Sequence, residues 1–119
     1  MKSEIILIVQ FFRTEQGNEP VHEWLMGLDV AARKAIGTDI KTVQFGWPLG
    51  MPLIRKIETD LWEIRCDVPN GIARVLFTIV GSSMVLLHGF VKKSQKTPVN
   101  DLRVARQRLS KFKQEEDEK

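Results

Sequence analysis

The spacing of hydrophobic residues changes twice along this chain, and each change marks a change of element. From Glu4 to Phe12 the chain is dense in Ile, Val and Phe and holds no helix breaker, which predicts a strand. A polar stretch with Gly17 and Asn18 closes it. Asn18 is placed to cap a helix whose first turn holds Glu19 and Pro20, and Val21, Trp24, Leu25 and Leu28 then recur at helical spacing. Asp29 is placed to cap a second helix with Ala32, Ile36, Ile40 and Val43 on one face, ended by Gly46 and Trp47-Pro48. The two helices are expected to lie antiparallel, as a hairpin.

From Met51 the pattern becomes short β-rich runs: Leu53 to Glu58, Leu61 to Cys66, Ile72 to Val80 and Met84 to Lys92. Thr59-Asp60, Pro69-Asn70-Gly71 and Gly81-Ser82 separate them, and connections this short predict a four-stranded antiparallel meander. Thr97 is placed to cap a last helix with Pro98 at its first position and Leu102, Ala105, Leu109 and Phe112 on its apolar face. The order strand, two-helix hairpin, four-stranded meander, C-terminal helix describes an α+β domain with its helices on one sheet face and the other face open. Residues 1–113 form this single domain, and residues 114–119 form an acidic tail expected to fray.

Alternation says what the open face displays. Trp62, Ile64 and Cys66 point one way, and Glu63 and Arg65 the other. On the next strand Ala73, Val75, Phe77 and Ile79 form the apolar set, leaving Arg74 opposite with Ile72, Leu76 and Thr78. Pairing through the Pro69-Asn70-Gly71 hairpin would bring Arg65 and Arg74 together beside Glu63, with Lys92 and Lys93 at the same rim. Such convergent guanidinium groups suit a phosphate. The plain alternative is a cross-strand surface charge pair of a few tenths to about one kcal/mol. An Arg74 within an apolar strand must meet either an acidic partner such as Glu63 or a substrate phosphate in an open concavity.

Charge sharpens this picture. The net charge is +3, but the final hexapeptide carries −3, so the body carries +6. Residues 1–50 hold five basic and six acidic side chains, whereas residues 51–113 hold twelve and five, so the cationic half is the sheet half. A basic domain of this kind suits a polyanion. The longest apolar stretch, Ile5 to Phe12, is too short to span a bilayer and lacks the flanks of a signal peptide, so the chain is expected to be cytoplasmic with no membrane partner. The single cysteine, Cys66, has no Cys or His at metal-ligand spacing and reads as a small packing residue; no metal and no other cofactor is expected. The tryptophans at 24, 47 and 62 read as core anchors.

Three segments resemble the phage Gp49-like/HigB branch of the RelE/ParE toxin superfamily: Leu61-Trp62-Glu63-Ile64-Arg65, Arg74-Val75-Leu76-Phe77, and the run from Leu87-His88-Gly89-Phe90 through Lys92-Lys93-Ser94-Gln95-Lys96-Thr97-Pro98. The last is the most specific, and the first half of the chain matches only in layout. The resemblance implies a RelE-like microbial RNase fold and the toxin of a type II toxin-antitoxin system. It further implies an endoribonuclease cleaving translated mRNA on the ribosome, with a cognate helix-turn-helix antitoxin as partner. In that chemistry the 2′-hydroxyl attacks the neighbouring phosphorus, and negative charge grows on the phosphoryl oxygens, where arginines stabilise it. The expected catalytic set is Arg65, Arg74, Lys93, Glu63 and His88, with Lys56, Lys92 and Lys96 binding RNA. Glu63, His88 and a lysine all stay open as acid-base groups, and His88 reads at least as readily as a hydrogen-bonded core histidine. The chain has no tyrosine to serve instead. A ParE-like inhibitor of DNA gyrase and a non-catalytic RNA-binding phage accessory protein are the alternatives.

Overall fold

A computed structural model describes residues 6–69, 71–92 and 97–118. Among them the chain forms β1 (Ile8–Phe11), α1 (Pro20–Met26), α2 (Val30–Gly46), β2 (Ile54–Glu58), β3 (Leu61–Val68), β4 (Gly71–Val80), β5 (Ser83–Lys92) and α3 (Val99–Asp117). The fold is mixed α+β, with three helices and one five-stranded, mostly antiparallel sheet in the order β1-β5-β4-β3-β2. β2 to β5 pair consecutively and antiparallel, and β1 adds a fifth strand parallel to β5.

Local signals explain most boundaries. Asp29 caps α2, its carboxylate accepting from the Ala32 N–H at 2.8 Å, and Ala32, Ile36, Ile40 and Val43 form the buried stripe. Asn18 does not cap α1: its N–H donates to Thr14 Oγ1 at 3.1 Å within a turn, and Glu19 takes the cap position. Thr97 does not cap α3 either; Pro98 stands there. Residues 114–117, expected as frayed tail, form the last helical turn. Ion pairs from Lys111 to Glu15 and from Lys113 to Asp60 tie that end of α3 to the loops beneath it.

Two expectations about packing need correction. α1 and α2 do not form a hairpin packed mainly on itself. α1 lies on β5 and β1 and α2 on β3, because each apolar stripe faces the sheet. Gly89 makes room for this: a Cβ there would lie 2.3 Å from the Trp24 ring. The helices also do not share one sheet face. Ile64, Cys66, Ala73, Val75, Phe77 and Leu86 pack with α1 and α2, whereas Leu61, Leu76, Val85 and Leu87 pack under Ala105, Leu109 and Phe112 of α3. The face expected to be open is therefore partly roofed by α3. Its apolar members, with Leu76 at their centre, supply the reason, since α3 must bury its own stripe and these residues offer the complementary surface. No helix among the described residues is long and apolar enough to cross a membrane.

Candidate functional site

Strand register places the candidate side chains in rows across the α3 side of the sheet. One row runs Arg55, Glu63, Leu76, His88; the next runs Arg65, Arg74, Phe90; Ile72 and Lys92 follow. Partners in register point to the same face, so Arg55, Glu63, Arg65, Arg74, Lys92 and His88 share it. The hairpin joining β3 to β4 sets Arg65 opposite Arg74, as the alternation implied.

The interior of this cluster is sealed. Glu63 and Arg74 are both 0% exposed, with Arg74 Nη1 3.8 Å from Glu63 Oε2. Thr97 Oγ1 donates to the same carboxylate oxygen at 2.8 Å. A row of charges displayed to solvent was expected here. Both side chains are instead withdrawn from solvent, with Thr97, just before α3, reaching Glu63, and of the two fates open to Arg74 the structure has the acidic partner. Burial pushes the Arg74 guanidinium below its ordinary value; Glu63 opposes that shift, and neighbouring Arg65 and Arg55 add to it. A guanidinium so far above neutrality stays charged all the same. Glu63 is thus committed to a cation and a hydroxyl before any substrate arrives.

Accessible charge surrounds that interior. Arg55 and Lys92 are exposed and Arg65 is half-buried. The three cations ring Arg74 on one face, an arrangement able to hold a phosphodiester and to stabilise charge growing on its oxygens.

His88 is held apart. It shares Glu63's row, but the Leu76 strand lies between them, a separation of roughly 10 Å by strand spacing. His88 Nε2 lies 2.6 Å from Asp101 Oδ1 on α3, and its ring stacks on Phe90 with centroids 5.7 Å apart. Arg108 Nη1 donates to the Leu87 carbonyl at 2.8 Å and reaches His88 Nδ1 at 3.4 Å. With a guanidinium facing Nδ1, the proton is assigned to Nε2, which donates to Asp101. His88 is therefore a half-buried, hydrogen-bonded histidine whose Asp101 partner orients it. A bulge in β5 between the partners of Leu76 and Phe77 lets both Leu87 and His88 reach α3.

Lys56 is not brought to the cluster. It pairs with Trp62 on the opposite face, its Nζ 5.9 Å from the Trp62 ring. Lys93 and Lys96 lie outside the described residues.

Two members of the site escape a reading of the sequence alone. Arg55 occupies the place expected for Lys56, because Ile54-Arg55-Lys56-Ile57 has an isoleucine at each end and alternation cannot choose between its two cations. Only the pairing of Arg55 with Glu63 decides it. Thr97 carries a helix-cap signature, and nothing local shows that its hydroxyl goes to Glu63, 34 positions away in the chain.

With that geometry in place, the comparisons with known proteins bear on it. The model of the family described as Phage derived protein Gp49-like (DUF891) matches residues 23–110, well over half of the chain, and so includes every strand of the meander and each member of the cluster. No curated protein matches the chain.

Proposed function

The protein belongs to the Gp49-like family of phage-derived proteins, a family associated with toxin-antitoxin toxins, and from that premise we propose that it is a type II toxin acting as an mRNA interferase. The reaction is cleavage of translated mRNA on the ribosome by 2′-hydroxyl attack on the adjacent phosphodiester. The observation that carries this reading is the ring of accessible cations, Arg55, Arg65 and Lys92, around a buried Arg74 on a single sheet face. Arg65 and Arg55 hold the phosphoryl oxygens and offset their growing charge. Arg74 contributes a fixed positive charge from beneath, where low dielectric strengthens its effect. Glu63 and Thr97 hold Arg74 in place. His88, oriented by Asp101 and partly accessible, is the acid-base group among the described residues, and Lys93 and Lys96 belong to the proposed RNA path by sequence.

A binding-only module would need aromatic rings beside the cations for base stacking. Phe90 lies in the same row, but its ring is engaged with His88. The test is expression of the chain alone, with mRNA ends and gyrase-dependent DNA breaks mapped in the same arrested cells. Cuts within translated frames, abolished in Arg65→Ala and suppressed by a co-expressed helix-turn-helix antitoxin, are expected. DNA breaks with intact transcripts would transfer the protein to the gyrase-inhibitor class. Harmless accumulation of the folded wild-type chain would overturn the toxin reading altogether.

A further inference from the structure

The sheet edge beside the cationic cluster opens into a cavity of about 620 Å³, within the size range of small-molecule sites. It forms because β2 begins at Ile54, opposite Ile64, and Leu53 accepts the last bond, from the Arg65 N–H at 2.9 Å; beyond it β3 continues to Val68 with no strand on that side among the described residues. α2 walls the gap. Ala35, Leu53 and Ile72 give the cavity apolar sides, and Asp39, Arg65 and Asp67 supply its charged groups. Arg65 thus belongs to both the cation ring and this cavity.

That shared residue narrows what the cavity can hold. Its two carboxylates ask for hydrogen-bond donors and its guanidinium for acceptors. A flat, neutral group with donors on one edge and acceptors on another fits both demands. Guanine has that pattern: N1–H and the N2 amino group present adjacent donors that one carboxylate accepts side by side, while O6 and N7 accept from an arginine. Adenine and cytosine offer one amino group and no adjacent ring N–H, and uracil has a single N–H between two carbonyls. The apolar walls suit the faces of a planar base. Asp39 also lies near enough to the buried Cys66 to help push its thiol up.

We propose that this cavity is a guanine subsite, reading one base of a single-stranded RNA whose adjoining phosphate lies on Arg65 and Arg55. Asp39 or Asp67 accepts from N1–H and N2, and Arg65 addresses the base or its phosphate. The inference rests on the RNA reading above for its ligand class, but it makes a separate claim about where specificity resides.

The experiment titrates the isolated full chain with 2′-O-methyl trinucleotides, which cannot undergo 2′-hydroxyl attack, carrying G, A, C or U at the centre. Binding is followed by amide chemical shifts. The guanine trinucleotide should shift the amides of residues 35–39 and 65–67 and bind at least tenfold more tightly than the other three. Asp39→Asn and Asp67→Asn should each be tested, and the one that contacts the base should reduce that preference to less than threefold while the uracil trinucleotide binds as to wild type. Using both keeps the test decisive if loss of the Cys66 contact disturbs the Asp39 variant. Equal affinity for all four bases, or shifts confined to the strand residues around Arg55 and Lys92, would overturn the subsite; with cleavage of translated mRNA intact, the proposed function would stand. Shifts in the cavity produced by an arginine-rich peptide but by no trinucleotide would overturn it in favour of a protein partner. Guanine binding in the cavity by a chain that cuts no transcript would uphold the subsite and reject the ribonuclease.

Discussion

Replacing Arg74 by alanine should unfold the protein more readily before it says anything about catalysis. Arg74 and Glu63 are fully buried with their charged atoms 3.8 Å apart, so removing the guanidinium leaves a carboxylate in the interior with only the Thr97 hydroxyl to compensate it. Breaking one side of a buried pair costs about 3–5 kcal/mol. Against a total stability of about 5–15 kcal/mol for a domain of this size, that is a large fraction. The melting temperature should fall by roughly 10–20 °C. A companion variant separates charge from packing: Glu63→Met with Arg74→Met removes both ions and fills their space with apolar atoms, and it should recover most of the loss. Urea unfolding followed by circular dichroism compares both variants with the wild type. Cleavage by Arg74→Ala has to be assayed at a temperature where that unfolding curve shows the chain folded, and there a loss of about 100-fold is expected if the buried charge stabilises the transition state. Should Arg74→Ala cost less than about 1 kcal/mol, the guanidinium is hydrated in solution and the sealed interior described above is wrong.

Other outcomes follow from the packing and the ionisable groups. Gly89→Ala would drive a methyl to within 2.3 Å of the Trp24 ring, so α1 must shift, with a loss of about 1–3 kcal/mol in urea and a change in tryptophan emission; an unchanged midpoint would mean that α1 is not seated on β5. Arg106 holds the Glu58 carboxyl below its usual range, so this pair stabilises the fold above the ordinary carboxylate pKa and the contribution disappears as pH falls through the lowered value. Arg106→Gln should therefore flatten the stability profile between about pH 5 and 3, and an unchanged slope would count against the pairing. Burial, reinforced by Asp39, pushes the Cys66 thiol up, so the folded chain stays protonated while the unfolded chain ionises. Stability from this source is complete below about pH 8.5 and declines above it; Cys66→Ala should lessen that alkaline decline, and the native thiol should resist a disulfide reagent.

Much of the fold was legible in local pattern. Periodicity identified the strands and helices, Asp29 announced the start of α2, and alternation in β3 and β4 placed Glu63, Arg65 and Arg74 on one face, because side-chain direction in a strand follows from the backbone alone. The most specific of the segments that resembled the toxin family, from Leu87 to Pro98, also lies within the span that the family model matches. Other features were decided by tertiary structure. Whether a face carrying Glu63 and Arg74 meets water depends on where α3 comes to rest, and α3 docks on that face over Leu76 and Leu87. Arg55 rather than Lys56 joins the cluster because β2 finds its register against β3, and a shift of one residue would exchange them. Thr97 reaches Glu63, and Asp101 reaches His88, only once the helix is laid across the sheet. The edge cavity exists because β2 stops short of the end of β3. The physical division is one of range: propensity and side-chain direction act over a few residues and can be read in order, whereas burial, charge pairing and the shape of a cavity arise between segments whose meeting is set by the packing of the whole chain.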